Sequence, residues 1–297
     1  MAQQDAPTTY EKYYVPEQSI WPIVGAVALF LIAVGAGNFV IEQTRGKEGI
    51  GGYVLLAGIL TLIVMLFGWF KNQIDESMSG LYSAQLGRSY RQGMLWFIFS
   101  EVMFFAAFFG ALFYARMIAI PWLGGSSNNA MTNEVLWPTF EAIWPLVSTP
   151  GGIETQAMPA TGLPLYNTVI LLISSVTLHY AHVGLEQNKR KQLISLLGVT
   201  ILLGVIFMGF QIYEYIHAYR DLGLTLQSGV YGNTFFLLTG FHGMHVTLGA
   251  IILTVLFFRI LKGHFTPKEH FAFQAGSWYW HFVDVVWVML FIFVYVL

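Results

Sequence analysis

The chain has 297 residues, 56% of them hydrophobic and only 10% charged, with a net charge of −2. An ordinary soluble domain carries about 25% charged residues, so this composition excludes a water-exposed fold, and the near-neutral balance excludes a nucleic-acid footprint. There is no cysteine, which removes disulfides, thiolate-ligated metals, iron–sulfur clusters and cysteine nucleophiles together.

Residues 1–19 carry one base, Lys12, against Asp5, Glu11 and Glu17. A signal peptide begins positive, so this segment is expected to be a retained N-terminal segment. Seven apolar runs follow, each near the roughly 20 residues that a spanning helix needs. They lie at about 20–41, 51–70, 94–115, 165–185, 193–217, 233–258 and 274–297. In lipid a helix satisfies its own backbone groups, whereas a barrel would show short alternating segments. The expected fold is an all-α integral membrane protein of seven transmembrane helices. A polar connection is expected over 71–93, and a long outer loop over about 116–164, rich in Gly, Pro, Ser and Asn and without a core of its own.

Ten of the fourteen Lys and Arg fall on one side of this topology: Lys12, Lys71, Arg88, Arg91, Lys189, Arg190, Lys191, Arg259, Lys262 and Lys268. Arg45, Lys47, Arg116 and Arg220 fall on the other. The positive-inside rule therefore predicts a cytoplasmic N-terminus and an external C-terminus.

Ionisable residues at membrane depth carry the functional hypotheses. Glu101 is flanked one turn away by Phe97, Ile98, Phe104 and Phe105. It reads either as a proton-carrying or head-group-contacting acid, or as a carboxyl bonded to a neighbouring helix. His179 and His182, like His242 and His245, stand three apart on single helix faces. Two such pairs on facing helices would make a four-nitrogen metal or haem site, but membrane histidines also simply bond across helices. The expectation here is no metal. His281 and Asp284 repeat the spacing in the last run and read, with His242 and His245, as an interhelix polar clamp. Glu214 and His217 are placed near the interface, and Trp69, Trp278, Tyr279 and Trp280 in an aromatic belt. Gly240, Gly243, Thr247, Ala250 and Thr254 form a small-residue stripe suited to close helix approach, within the chain or at a subunit interface. The residues alone leave three classes open: a non-catalytic subunit, a haem or metal membrane enzyme, and a proton-coupled transporter.

Several segments are specific enough to carry a resemblance. They are Phe99-Ser100-Glu101-Val102-Met103-Phe104-Phe105, Gly229-Val230-Tyr231-Gly232-Asn233-Thr234-Phe235-Phe236, Thr239-Gly240-Phe241-His242-Gly243-Met244-His245-Val246 and Trp278-Tyr279-Trp280-His281-Phe282-Val283-Asp284-Val285-Val286-Trp287. Trp21-Pro22 and the stretch from Trp69-Phe70-Lys71 to Ile74-Asp75-Glu76-Ser77 add to them. From about residue 20 to its end, the chain resembles subunit III of the haem–copper cytochrome c oxidases. Two helices precede the Glu101 helix, as in cytochrome c oxidases and unlike most quinol oxidase relatives. The long outer loop departs from the mitochondrial members and points to a bacterial one, in the inner membrane with a periplasmic C-terminus.

The resemblance implies a two-helix bundle at 20–70 and a five-helix bundle at 94–297, with phospholipids in a V-shaped cleft. It implies packing on subunit I beside subunit II, with haem and copper held by those partners, none in this chain, and cytochrome c as donor to the complex. It implies support for proton uptake, turnover stability and oxygen delivery. Glu101 matches the family's buried glutamate, and Trp69, Glu76, Arg259 and His264 match positions near lipid head groups. Phe70 stands where mitochondrial members have a second tryptophan, so an indole hydrogen bond is not carried over there.

Overall fold

The computed structural model describes residues 14–297. The expected N-terminal segment 1–19 therefore lies largely outside the described residues. Nine α-helices are present among those described: α1 (Trp21–Arg45), α2 (Gly51–Met78), α3 (Ala84–Tyr114), α4 (Ile120–Leu123), α5 (Ala130–Leu136), α6 (Leu163–Glu186), α7 (Arg190–Arg220), α8 (Val230–Leu261) and α9 (Phe271–Leu290). A π-helical turn, Ala115–Ala119, joins α3 to α4, and a second, Phe291–Val296, extends α9. Among the described residues, seven helical stretches are long and apolar enough to cross a membrane, and no strand forms beyond one isolated bridge, Ser148 to Glu154. This is an all-helical, multi-pass membrane protein.

The helices outrun the apolar runs that announced them. α2 continues through Lys71 to Met78 and α3 begins at Ala84, so the polar stretch expected as a connection over 71–93 is mostly helix. The break is the short segment 79–83. Backbone bonding persists past the last apolar residue because charged side chains at a helix end can sit in water while the helix continues.

The chain divides into two compact units, one ending at Tyr90 and the other beginning at Arg91. In the first, α1 and α2 form a hairpin with the backbones in close approach. A side chain at Gly35 would collide with the backbone of Leu55, and one at Gly58 would meet the Ile32 amide nitrogen at 2.7 Å. Small residues are what lets membrane helices touch along their backbones. The Glu42 carboxylate accepts from the Gly51 amide at 3.1 and 3.2 Å, satisfying an orphan donor at the start of α2.

The second unit has a continuous core, with Leu178, Phe207, Phe235, Phe273, Trp280 and Trp287 fully buried. Trp280 of α9 is the key. Its six-membered ring fills the notches left by Gly204 of α7 and Gly249 of α8, where a Cβ would come within 2.7 and 2.8 Å of it. Its Nε1 donates to Ser174 Oγ of α6 at 3.0 Å. Trp287, two turns on, donates to Thr168 Oγ1 of α6 at 3.0 Å and meets Phe207 of α7 edge-on at 4.8 Å. The belt assignment is thereby corrected for Tyr279 and Trp280, which are core residues; Trp69 is 45% exposed. The small-residue stripe of α8 faces α7, with Gly240 against Tyr215, and Gly243 and Thr247 against Met208.

The outer loop is more ordered than its composition suggests. Asn133 Nδ2 lies within hydrogen-bond reach of the carbonyls of Leu123, Trp137 and Phe140. The Met158 amide donates to Tyr231 Oη at 3.1 Å. Leu146 and Met158 are buried in the same core as the bundle.

Candidate functional site

Glu101, on α3, projects from the aromatic stretch that frames it and reaches α8. Its Oε2 lies 2.8 Å from His245 Nε2, with the glutamate side chain 22% exposed and the histidine 6%. The aromatic frame that the sequence places around Glu101 is interrupted by a polar partner from a helix 144 positions away. Phe104, Phe105, Tyr279 and Phe282 surround the imidazole at ring separations of 5.0 to 6.4 Å.

The second ring nitrogen fixes the chemistry. His245 Nδ1 sits 2.6 Å from the Phe241 carbonyl. A carbonyl can only accept, so Nδ1 carries a hydrogen. The contact between Nε2 and Glu101 then needs one proton, on either partner. The pair is a neutral acid with a neutral imidazole, or a carboxylate with an imidazolium, and its net charge is zero both ways. That is the arrangement that makes ionisable groups tolerable at membrane depth.

The other members of the expected clamp lie at separate points. His242 Nε2 donates to the Val283 carbonyl of α9 at 3.1 Å, and its ring lies 5.0 Å from that of Trp287. His281 Nδ1 bonds Ser175 Oγ of α6 at 2.8 Å and stands 3.6 Å from Asp284 Oδ2. The latter spacing is an ion-pair distance rather than a hydrogen bond. Asp284 is buried and its carboxylate oxygens have no hydrogen-bond partner. The four histidines in two i, i+3 pairs therefore do not converge on one centre: His245 and His242 each have a bond of their own, and His179 is exposed. Glu214 corrects another expectation. It is fully buried in α7, where its Oε1 accepts from Tyr295 Oη at 2.7 Å. That partner lies 81 residues away, and nothing in the local pattern marks it.

The residues matched to lipid positions form two local groups. In the first unit, Trp69 and Phe70 stack at 5.6 Å and are both exposed. Glu76 Oε2 lies 3.1 Å from Tyr82 Oη, which is also 3.1 Å from Gln73 Oε1. Burial first, then Tyr90 and Glu76, hold the Tyr82 hydroxyl well above the usual phenol range, so it stays a donor. In the second unit, the Arg259 guanidinium lies over the Phe265 ring at 4.5 Å, and its Nε is buried without a hydrogen-bond partner. His264 joins it through the turn that ends α8, its amide donating to the Arg259 carbonyl at 3.1 Å.

Such a bundle, with its membrane-depth acids and indoles bonded from helix to helix, defines a polytopic helical membrane protein built around interhelix polar contacts. Over residues 11–297 the chain matches the family model described as cytochrome c oxidase subunit III. It is 39% identical to cytochrome c oxidase subunit 3 of Pongo abelii over 287 residues, 95% of this chain and 96% of that protein. It is 37% identical to the subunit 3 proteins of Homo sapiens over 284 residues and Prototheca wickerhamii over 286, with the same coverage. The chain belongs to the cytochrome c oxidase subunit III family, as its motifs indicated.

Proposed function

We propose that this chain is the non-catalytic third subunit of a cytochrome c oxidase, an oxidoreductase complex of aerobic electron transport. It packs on subunit I beside subunit II, and those partners hold the haem and copper and take electrons from cytochrome c. It stabilises the oxygen-reducing, proton-pumping complex during turnover and supports proton uptake. The carrying observation is the family match along nearly the whole chain. The Glu101–His245 bond supports it, because the acid a transporter would use as a carrier is engaged with a neighbouring helix. A tagged chain purified from its native membrane is expected to bring down a haem- and copper-containing complex. Recovery of the chain alone, from membranes that contain the oxidase, would overturn the reading.

Phospholipid is part of this role. Arg259 offers an incompletely bonded guanidinium at the end of a spanning helix, with His264 beside it, and an anionic head group supplies the missing acceptor. Trp69, Phe70 and Glu76 form a second contact, with exposed aromatic faces for acyl chains and a carboxylate for a head-group amine. Arg259→Ala is expected to lose bound phospholipid in native mass spectrometry of the complex. An unchanged lipid complement would remove Arg259 from the site.

The charge asymmetry supports a cytoplasmic N-terminus and an external C-terminus; the long outer loop, through the family resemblance, supports a bacterial inner membrane, in which that outside is the periplasm. A reporter fused after Leu297 is expected to be active only outside the cytoplasm, and a cytoplasmic signal would reverse the topology.

A further inference from the structure

Where α6 gives way to α7, three ligand-bearing side chains converge. His182 and Glu186 stand i, i+4 on the last turns of α6, and His270 occupies the N-cap position of α9. The two imidazole rings lie 5.4 Å apart at 76°. One ligating atom from each of His182, Glu186 and His270 falls within 4.8 Å of the other two.

The hydrogen bonding of this cluster is incomplete in a particular way. His182 Nε2 is shut off from solvent and has no hydrogen-bond partner. Glu186 Oε1 stands 3.7 Å away, beyond hydrogen-bond range. A buried nitrogen left unpaired is costly, and a ligand there removes the cost. His270 Nδ1 lies 3.1 Å from the Thr266 carbonyl. That carbonyl can only accept, so Nδ1 carries the hydrogen and Nε2 keeps its lone pair. Metal-binding histidines are held in this way, with the far nitrogen donating to a backbone carbonyl. Phe273, fully buried, backs His182 at 5.4 Å and gives the site an apolar wall.

We propose that His182, Glu186 and His270 bind one divalent first-row cation of the Zn²⁺ class. Two imidazoles and one carboxylate make a three-ligand set that leaves a fourth position for water. Imidazole favours zinc and its neighbours over the hard cations magnesium and calcium, which take all-oxygen shells. Bonds of about 2.0–2.1 Å to a tetrahedral ion put ligand atoms roughly 3.4 Å apart. The His182–Glu186 spacing already approaches this, and Glu186 is exposed and free to close the rest by rotamer change. Bound metal would tie the end of α6 to the segment that launches α9. It goes beyond the proposed subunit role and does not depend on it.

The test uses the full-length chain in detergent, stripped with chelator and equilibrated with Zn²⁺ in excess Mg²⁺. One Zn²⁺ per chain is expected after gel filtration, with a zinc K-edge absorption spectrum showing two imidazoles in a nitrogen–oxygen shell. His182→Gln and His270→Ala are each expected to weaken binding at least tenfold, and His179→Ala to bind as wild type. Zn²⁺ should raise the Tm of the wild type but not of His270→Ala, while the metal-free forms melt together; that comparison separates lost binding from lost folding. Sub-stoichiometric binding, displacement by Mg²⁺, or full binding by the double variant His182→Gln/His270→Ala would overturn the proposal.

Discussion

Trp280→Ala is expected to be the most destabilising single substitution in the second unit, costing about 3–5 kcal/mol by analogy with aromatic truncation in other cores. The indole occupies space that three other helices have shaped around it. Gly204 and Gly249 are notched for its ring, and Ser174 accepts its Nε1 hydrogen. Between membrane helices there is little hydrophobic drive, since lipid tails are as apolar as leucine; van der Waals fit and interhelix hydrogen bonds supply the association. Removing the ring forfeits both at once and leaves a cavity that rigid helices close poorly. Trp280→Phe keeps most of the volume and loses the bond to Ser174, so it is expected to lie between wild type and alanine. Gly249→Val attacks the same contact from the other side by forcing a side chain into the ring. Thermal unfolding of the purified chain in detergent reads all three. A Trp280→Ala melt within a degree of wild type would mean that this packing does not hold the bundle.

How much of this was legible beforehand follows from which physics is local. The seven spans were, because lipid demands about 20 apolar residues in a row wherever a helix crosses. Helix ends were not: the polar residues from Lys71 to Met78 continue α2 because a helix needs no apolar side chains once it leaves the hydrocarbon. Trp280 was misplaced for a related reason. α9 begins at Phe271, so residue 280 lies about 13 Å down the axis at 1.5 Å per residue, well inside the bundle. Pairings between distant helices were illegible altogether. Glu101 and His245 were each marked as unusual by their own surroundings, but nothing local says that α3 and α8 present them to each other. The same holds for Glu214 with Tyr295 and for His182 with His270. Spacing within one helix suggested His179 with His182; the fold instead points His182 across to the residue at the N-cap position of another helix.

Glu101→Gln is expected to leave assembly and proton pumping intact, whereas Glu101→Leu is expected to cost about 1–3 kcal/mol, the penalty for leaving a buried polar atom unpaired. The reasoning rests on the single proton the pair shares. With His245 Nδ1 committed to the Phe241 carbonyl, Nε2 of a neutral ring needs a donor opposite it. A glutamine amide supplies one; a leucine cannot. Pairing Glu101→Leu with His245→Phe removes both polar partners and gives two apolar side chains in an aromatic setting. The double variant should therefore be less destabilised than the sum of its singles, by an interaction energy of the order of 1 kcal/mol. The two readings of Glu101 separate on the glutamine variant. As a group that only joins α3 to α8, it needs a hydrogen bond and no charge. As an obligatory proton relay, it needs to lose and regain a proton, which an amide does not do. The measurement is proton release per electron in vesicles that contain the assembled oxidase, with subunit content and bound lipid checked in the same preparation. Pumping lost in Glu101→Gln while the complex and its lipids stay intact would make Glu101 part of the proton path. Pumping retained, with a melt close to wild type, would leave it as an interhelix tie that needs a hydrogen bond and no charge of its own.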